Sequence, residues 1–126
     1  MNAERYTVTI TEPFVAQHYL TVPDAGPEGT LHSHAFEAEV RFGGQELNQY
    51  GYLLDIDHAT EALSTVVDHY RDETLNDHLE GNPSCERLAG TLSEDLRTEL
   101  EAPEVEVIEV TVYEDETAAV TCRARL

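Results

Sequence analysis

From His32 to Phe42 the chain alternates, with His34, Phe36, Ala38, Val40 and Phe42 on one side and Ala35, Glu37, Glu39 and Arg41 on the other. A period of two predicts a half-buried strand, closed by the Gly43-Gly44 turn signal. Residues 5–11 predict an earlier strand ending at Glu12-Pro13, with Phe14 to Leu20 as a second segment or its bent continuation. Thr21 to Thr30 carries Pro23, Gly26, Pro27 and Gly29 and reads as a loop. The pattern then changes period. Ala59, Ala62, Leu63, Val66, Val67 and Tyr70 share one face of a helix that opens at Asp57 as N-cap. Asn82 as N-cap and Pro83 in the first turn open a second helix, whose stripe is Cys85, Leu88, Ala89, Leu92, Leu96 and Leu100 and which Pro103 stops. Strands over 104–114 and 117–125 close the chain. Strands, two helices, strands predict a single α+β domain over 1–126, with both helices on one face of an antiparallel sheet. The other sheet face is expected to be partly apolar and covered by neighbouring subunits.

Composition narrows the partners. Twenty-six acids face seven bases, a formal net charge of −19, and every base is arginine. This balance opposes nucleic-acid binding, which needs clustered cations. It also strains the compact state at low salt through self-repulsion. A lysine-free acidic chain resembles proteins of salt-loving archaea, whose surfaces are screened by concentrated cations. No apolar run approaches a membrane span, and residues 1–5 lead directly into a strand pattern, so a cytoplasmic protein is expected. Cys85 and Cys122 fit no metal or redox motif and read as small apolar fillers rather than a disulfide.

The candidate chemistry lies in the histidines. His32 and His34 stand two apart on a strand and so project from one face. His18 lies fourteen residues upstream of His32, in a segment able to pair alongside. Three imidazoles and one open position are the layout of a catalytic zinc site. A chance pair of surface histidines is the alternative. Glu114 falls on the apolar face of its strand, with Ile108, Val110 and Val112, where a carboxylate is out of place unless it has a partner.

Several separated motifs together resemble the 6-pyruvoyl-tetrahydropterin synthase family, which includes 6-carboxytetrahydropterin synthase. Its Phe-x-Ala-x-His is matched by Phe14 to His18, and its His-Gly-His by His32-Ser33-His34. Its Gly-x-x-x-Asp-Phe is similar to Gly51 to Ile56, and its Leu-Asn to Leu75-Asn76. Its Asn-Pro-Thr-x-Glu is similar to Asn82 to Glu86, and its Val-x-Val-x-Glu-Thr to Val110 to Asp115. The resemblance implies a tunnelling fold, ββααββ, whose subunits join into a barrel, commonly a hexamer of two trimers with active sites at the interfaces. It implies one zinc on His18, His32 and His34, and a 7,8-dihydroneopterin triphosphate-type substrate. Glu114 would anchor the pterin ring, near Glu86, Ser84 and Asp55. Glu86 is equally explained as a first-turn acid complementing the helix dipole.

The chain departs from the family at the catalytic set. The family's proton-abstracting cysteine lies four residues before His-x-His, where this chain has Glu28. A glutamate there is a usable base if burial raises its pKa. In some family members with glutamate at this position the side chain is cleaved instead, giving 6-hydroxymethyl-dihydropterin. The family's Asp-His pair falls, without gaps, on Arg71 and Asp72, while Asp68-His69 fits with three inserted residues. His69 and Asp72 are therefore both candidates. A pterin-binding family member without turnover is the remaining alternative.

Overall fold

The computed structural model describes residues 4–126. Its elements are β1 (Tyr6–His18), β2 (His32–Gly44), α1 (Ile56–Asp68), α2 (Cys85–Glu99), β3 (Val107–Glu114) and β4 (Ala118–Arg125), with short 3₁₀ turns at Gly26–Gly29 and Leu75–Asp77. The strands form one antiparallel sheet in the order β1-β2-β3-β4. Both helices lie on one face, α1 over β1 and α2 over β3 and β4. This is the α+β arrangement that the period change predicted.

Phe14, Phe36, Ala38, Val40, Ile108, Val110 and Val112 from the sheet meet Leu63, Val66, Val67, Leu88, Leu92 and Leu96 from the helices in one core. Burying each such leucine or valine stabilises the fold by roughly 1.5–3 kcal/mol. Tyr70 lies just beyond the end of α1 and is buried there. Its hydroxyl donates to Asp95 Oδ2 at 2.7 Å, tying the exit of α1 to α2.

Four boundaries differ from those the sequence predicts. β1 is continuous through Glu12-Pro13, paired with β2 in an unbroken register. It is an edge strand, and Val15 and Gln17, in phase with Pro13, turn their backbone groups outward to Asp72 and Glu73. The missing N–H of Pro13 therefore faces away from β2 and disturbs no ladder bond. Gly43 and Gly44 continue β2, where a Cβ on Gly44 would meet Glu104 O at 2.4 Å. Asp55, not Asp57, caps α1, accepting from the backbone N–H of Asp57 and His58. Ser84, not Asn82, caps α2, its Oγ accepting from Arg87 N at 3.2 Å.

The outer sheet face is polar over most of its area and apolar at one end, where it carries Pro13 and Val15 of β1 and Ala35 of β2. The polar part carries Thr7, Thr9 and Thr11 of β1, Glu37, Glu39 and Arg41 of β2, and Glu109 and Thr111 of β3. Arg41 and Arg123 both pair with Glu109, and Thr111 and Thr121 share a hydroxyl hydrogen bond of 2.7 Å. This part is polar because a ladder of threonines and paired charges has β propensity without requiring burial. Val15, 45% exposed, is the large apolar side chain of the apolar end, and further exposed apolar side chains include Val22 and Leu31 on the loop before β2 and Tyr50, Tyr52 and Ile56 before and at the start of α1.

Candidate metal centre and its cavity

The register of β1 on β2 sets His18 directly opposite His32 and Ala16 opposite His34. All three histidines therefore project from the helix-covered face at one end of the sheet. Their ring centroids are 4.7, 4.8 and 5.1 Å apart. His18 is buried, and the side chains of His34 and His32 are 12% and 23% exposed.

Each ring is held through Nδ1. His18 Nδ1–H donates to Pro83 O at 2.9 Å, His32 Nδ1–H to Thr30 O at 2.6 Å and His34 Nδ1–H to Asp115 Oδ2 at 2.7 Å. With the proton on Nδ1, a ring in its neutral form carries its lone pair on Nε2. All three Nε2 atoms are buried without a hydrogen-bond partner. Buried polar atoms are rarely left so. Three inward-facing lone pairs, each backed by an acceptor on the opposite nitrogen, are the donor set of a metal site with its outer partners in place. The residues fit a divalent metal. Burial holds the His18 pKa below the ordinary imidazole value, against an opposing pull from its bond to Pro83, which keeps the ring in the ligating form.

Glu28 joins this cluster. It reaches in from the Gly26–Gly29 turn and places Oε2 2.8 Å from His32 Nε2. Glu28, His18, His32 and His34 each offer one ligand atom within 4.8 Å of the others. The turn is fixed by Leu20 N donating to Glu28 O at 2.8 Å. Two asparagines stitch down the chain leaving β1. Asn76 exchanges hydrogen bonds with both backbone groups of Tyr19, and Asn82 Oδ1 accepts from Thr21 N at 2.8 Å.

Beside the cluster is a cavity of about 320 Å³ lined by residues that include His18, Glu28, Ser84, Cys85, Glu86 and Glu114. That volume is at the lower end of small-molecule sites. Glu114 Oε2 lies 3.8 Å from His34 Nε2 and accepts from Cys85 Sγ at 3.0 Å. Burial, reinforced by Glu114, pushes the Cys85 thiol up to about 12, so it is a neutral donor rather than a thiolate.

The structure thus brings His18, His32, His34, Glu28, Glu114, Glu86 and Ser84 together. It does not bring the other candidates there. Asp55 caps α1. His69 is exposed at the C-terminal end of α1. Asp72, with a left-handed φ of 61°, donates its N–H to Val15 O on the outer edge of β1. Its neighbour Arg71 is engaged by Glu12, Asp68 and Pro13 O.

Two contributors escaped the sequence reading. Asp115 accepts from both His34 Nδ1 and Ala35 N, and these bonds, His34 first, hold its carboxyl below the usual range. Its signal was its place in the turn right after Glu114. Cys85 was read as a filler, although position 85 follows the N-cap and faces the end of β3.

An antiparallel sheet backed by two helices, with three imidazoles aimed at one point beside an acid-lined cavity, defines a protein of the tunnelling-fold type with a candidate metal site. The family model described as 6-pyruvoyl tetrahydropterin synthase matches residues 7–125, and the chain belongs to that family of pterin-related lyases. Among solved structures, the chain is similar to a Plasmodium vivax 6-pyruvoyltetrahydropterin synthase bearing alanine in place of a catalytic glutamate, with a TM-score of 0.83 and 16% identity over 96% of this chain and 98% of that one. The Plasmodium falciparum enzyme gives a TM-score of 0.82 at 15% identity, covering 98% of this chain and 100% of that one. The Caenorhabditis elegans enzyme gives 0.77 at 19%, covering 98% and 99%. At these identities the likeness is one of fold. No curated protein sequence matches.

Proposed function

We propose that the protein is a zinc-dependent lyase acting on 7,8-dihydroneopterin triphosphate-type pterins in the cytoplasm, as a single-domain subunit of a hexamer built from two trimers. The observation that carries this reading is the convergence of three unpartnered, buried Nε2 atoms on one point beside the cavity. His18, His32 and His34 would hold the ion, which when bound supplies positive charge that stabilises oxyanion character on the substrate side chain. Zinc suits three imidazoles with an open position. Glu114 accepts from the pterin amino group and ring N–H, with Glu86 and Ser84 at the same wall. Glu28 serves as the base that takes a proton from a side-chain hydroxyl or carbon.

Glu28 also favours a second reading. The base in this cavity is a carboxylate rather than a thiolate, and the Plasmodium vivax enzyme is described as having a catalytic glutamate. Proton removal from a side-chain hydroxyl by Glu28 lets the adjacent C–C bond break, its electron pair passing into the N5=C6 unit of the pterin. The fragment leaves as an aldehyde, and return of the proton from Glu28 to the exocyclic carbon of the resulting enamine restores N5=C6 and gives 6-hydroxymethyl-dihydropterin. Within one subunit His69 and Asp72 lie away from the cavity, so a part for either requires the cavity of a neighbouring subunit.

The test is incubation of the zinc-loaded chain with 7,8-dihydroneopterin triphosphate in molar salt, with products identified by mass spectrometry. A pyruvoyl pterin or a 6-carboxy pterin with acetaldehyde supports the first reading, and a hydroxymethyl pterin the second. Unchanged substrate leaves a pterin-binding protein without turnover. Light scattering in the same buffer should give a hexamer, and a monomer would refute the assembly.

A further inference from the structure

We infer that Glu28 is a fourth ligand of the metal site, closing it in the resting protein and giving way when substrate enters. The inference rests on the metal reading above and adds a residue to it. Glu28 Oε2 and His32 Nε2 are 2.8 Å apart. His32 Nδ1 already carries its proton toward Thr30 O, so Nε2, without a second ring proton, presents a lone pair to a carboxylate oxygen. Two acceptors at that distance repel unless a proton or a cation lies between them. A proton on His32 Nε2 would relieve this one contact and leave the Nε2 atoms of His18 and His34 buried and unpartnered. A single cation relieves all four atoms, which lie within 4.8 Å of one another.

The geometry also permits departure. The Glu28 side chain is 53% exposed and lines the cavity beside Glu114. Its backbone is fixed through the bond from Leu20 N, so only the side chain needs to rotate. One negative ligand lowers the net charge of the site, and its displacement restores both an open ligand place and a free carboxylate beside the incoming hydroxyls. Binding of substrate and release of the base are then the same event.

The test uses the full chain in molar salt, loaded with zinc against a competing chelator and, separately, with cobalt(II) followed by visible absorption. Glu28→Gln keeps size and removes the anionic ligand. It should weaken zinc binding at least tenfold, since even outer partners of ligands are worth about 10–100-fold, and change the cobalt spectrum with unaltered circular dichroism. Glu28→Asp, one methylene shorter, should fall between the two, and it decides the matter if the glutamine variant misfolds. Adding 7,8-dihydroneopterin to the cobalt-loaded wild type should shift its spectrum. Zinc affinities within twofold and identical cobalt spectra for wild type and variant overturn this inference alone. A folded wild-type chain that takes up no metal overturns the metal reading along with it.

Discussion

Asp115→Asn is the most informative single change at the metal centre, because the structure allows the amide no good orientation. Asp115 Oδ2 accepts from His34 Nδ1 and Oδ1 accepts from Ala35 N, at 2.7 and 3.0 Å. Both partners are donors, and an asparagine has one acceptor oxygen to offer. If that oxygen serves Ala35, the amide NH₂ faces His34 Nδ1 and drives the ring proton to Nε2, into the ligand cluster. If it serves His34, two donors collide at Ala35. The expected result is a loss of zinc affinity of about 10–100-fold, the range for removing an outer partner of a ligating imidazole. Asp115→Ala should do less harm, because Asp115 is exposed and water can take over both donors. Zinc competition against a chelator measures the affinities, and ¹⁵N shifts of His34 report the tautomer. Equal affinity for Asp115→Asn and wild type, or a larger loss in Asp115→Ala, would refute the tautomer argument.

Three further outcomes follow from the charges and the burial. Metal-free protein should lose stability on acidification below about pH 6.5, because His18 titrates lower in the fold than unfolded. In that window the unfolded chain binds the extra proton and stability falls with pH; urea midpoints at pH 7.5 and 5.5 measure it, and no difference between wild type and His18→Phe in this slope would exclude His18 as its source. With Cys122 replaced by serine, Cys85 should react with iodoacetamide at pH 8 roughly a thousandfold more slowly than an ordinary thiol, since its pKa of about 12 leaves almost no thiolate; rapid labelling of the folded protein would contradict the burial and the Glu114 contact. The net charge of −19 should make the melting temperature rise from low to molar potassium chloride, and a salt-independent melt would remove the electrostatic account of this composition.

The strands and helices were legible because their hydrophobic periods are clean and change only at the turn signals. Pro13 misled because proline is a breaker in a paired strand but not on an outer edge, and edge position is a property of the whole sheet. The N-caps slipped because Asp55 and Asp57, or Asn82 and Ser84, are alike in local chemistry, and only the backbone turn selects between them. The three histidines were visible from strand parity together with one long-range pairing. Asp115 and Cys85 were not, since each acts through a partner far away in sequence: His34 is 81 positions from Asp115, and Glu114 is 29 from Cys85. How much of the outer face is polar was not legible, because threonine on a strand satisfies the alternation while saying nothing about what covers it.

The carbonyls that orient His18 and His32 belong to Pro83 and Thr30, so two of the three imidazoles are aimed by main chain. A side-chain partner can be lost in one mutation, but a carbonyl persists through any replacement that keeps the local backbone path. Positions 30 and 83 are thus free to drift in identity while the ring orientation they impose is inherited through the shape of the chain. For anyone recoding this protein for low salt, the acidic surface is open to exchange apart from acids with a structural or site role, such as Asp55, Glu28 and Asp115, and the remaining constraint falls on the path of the two loops.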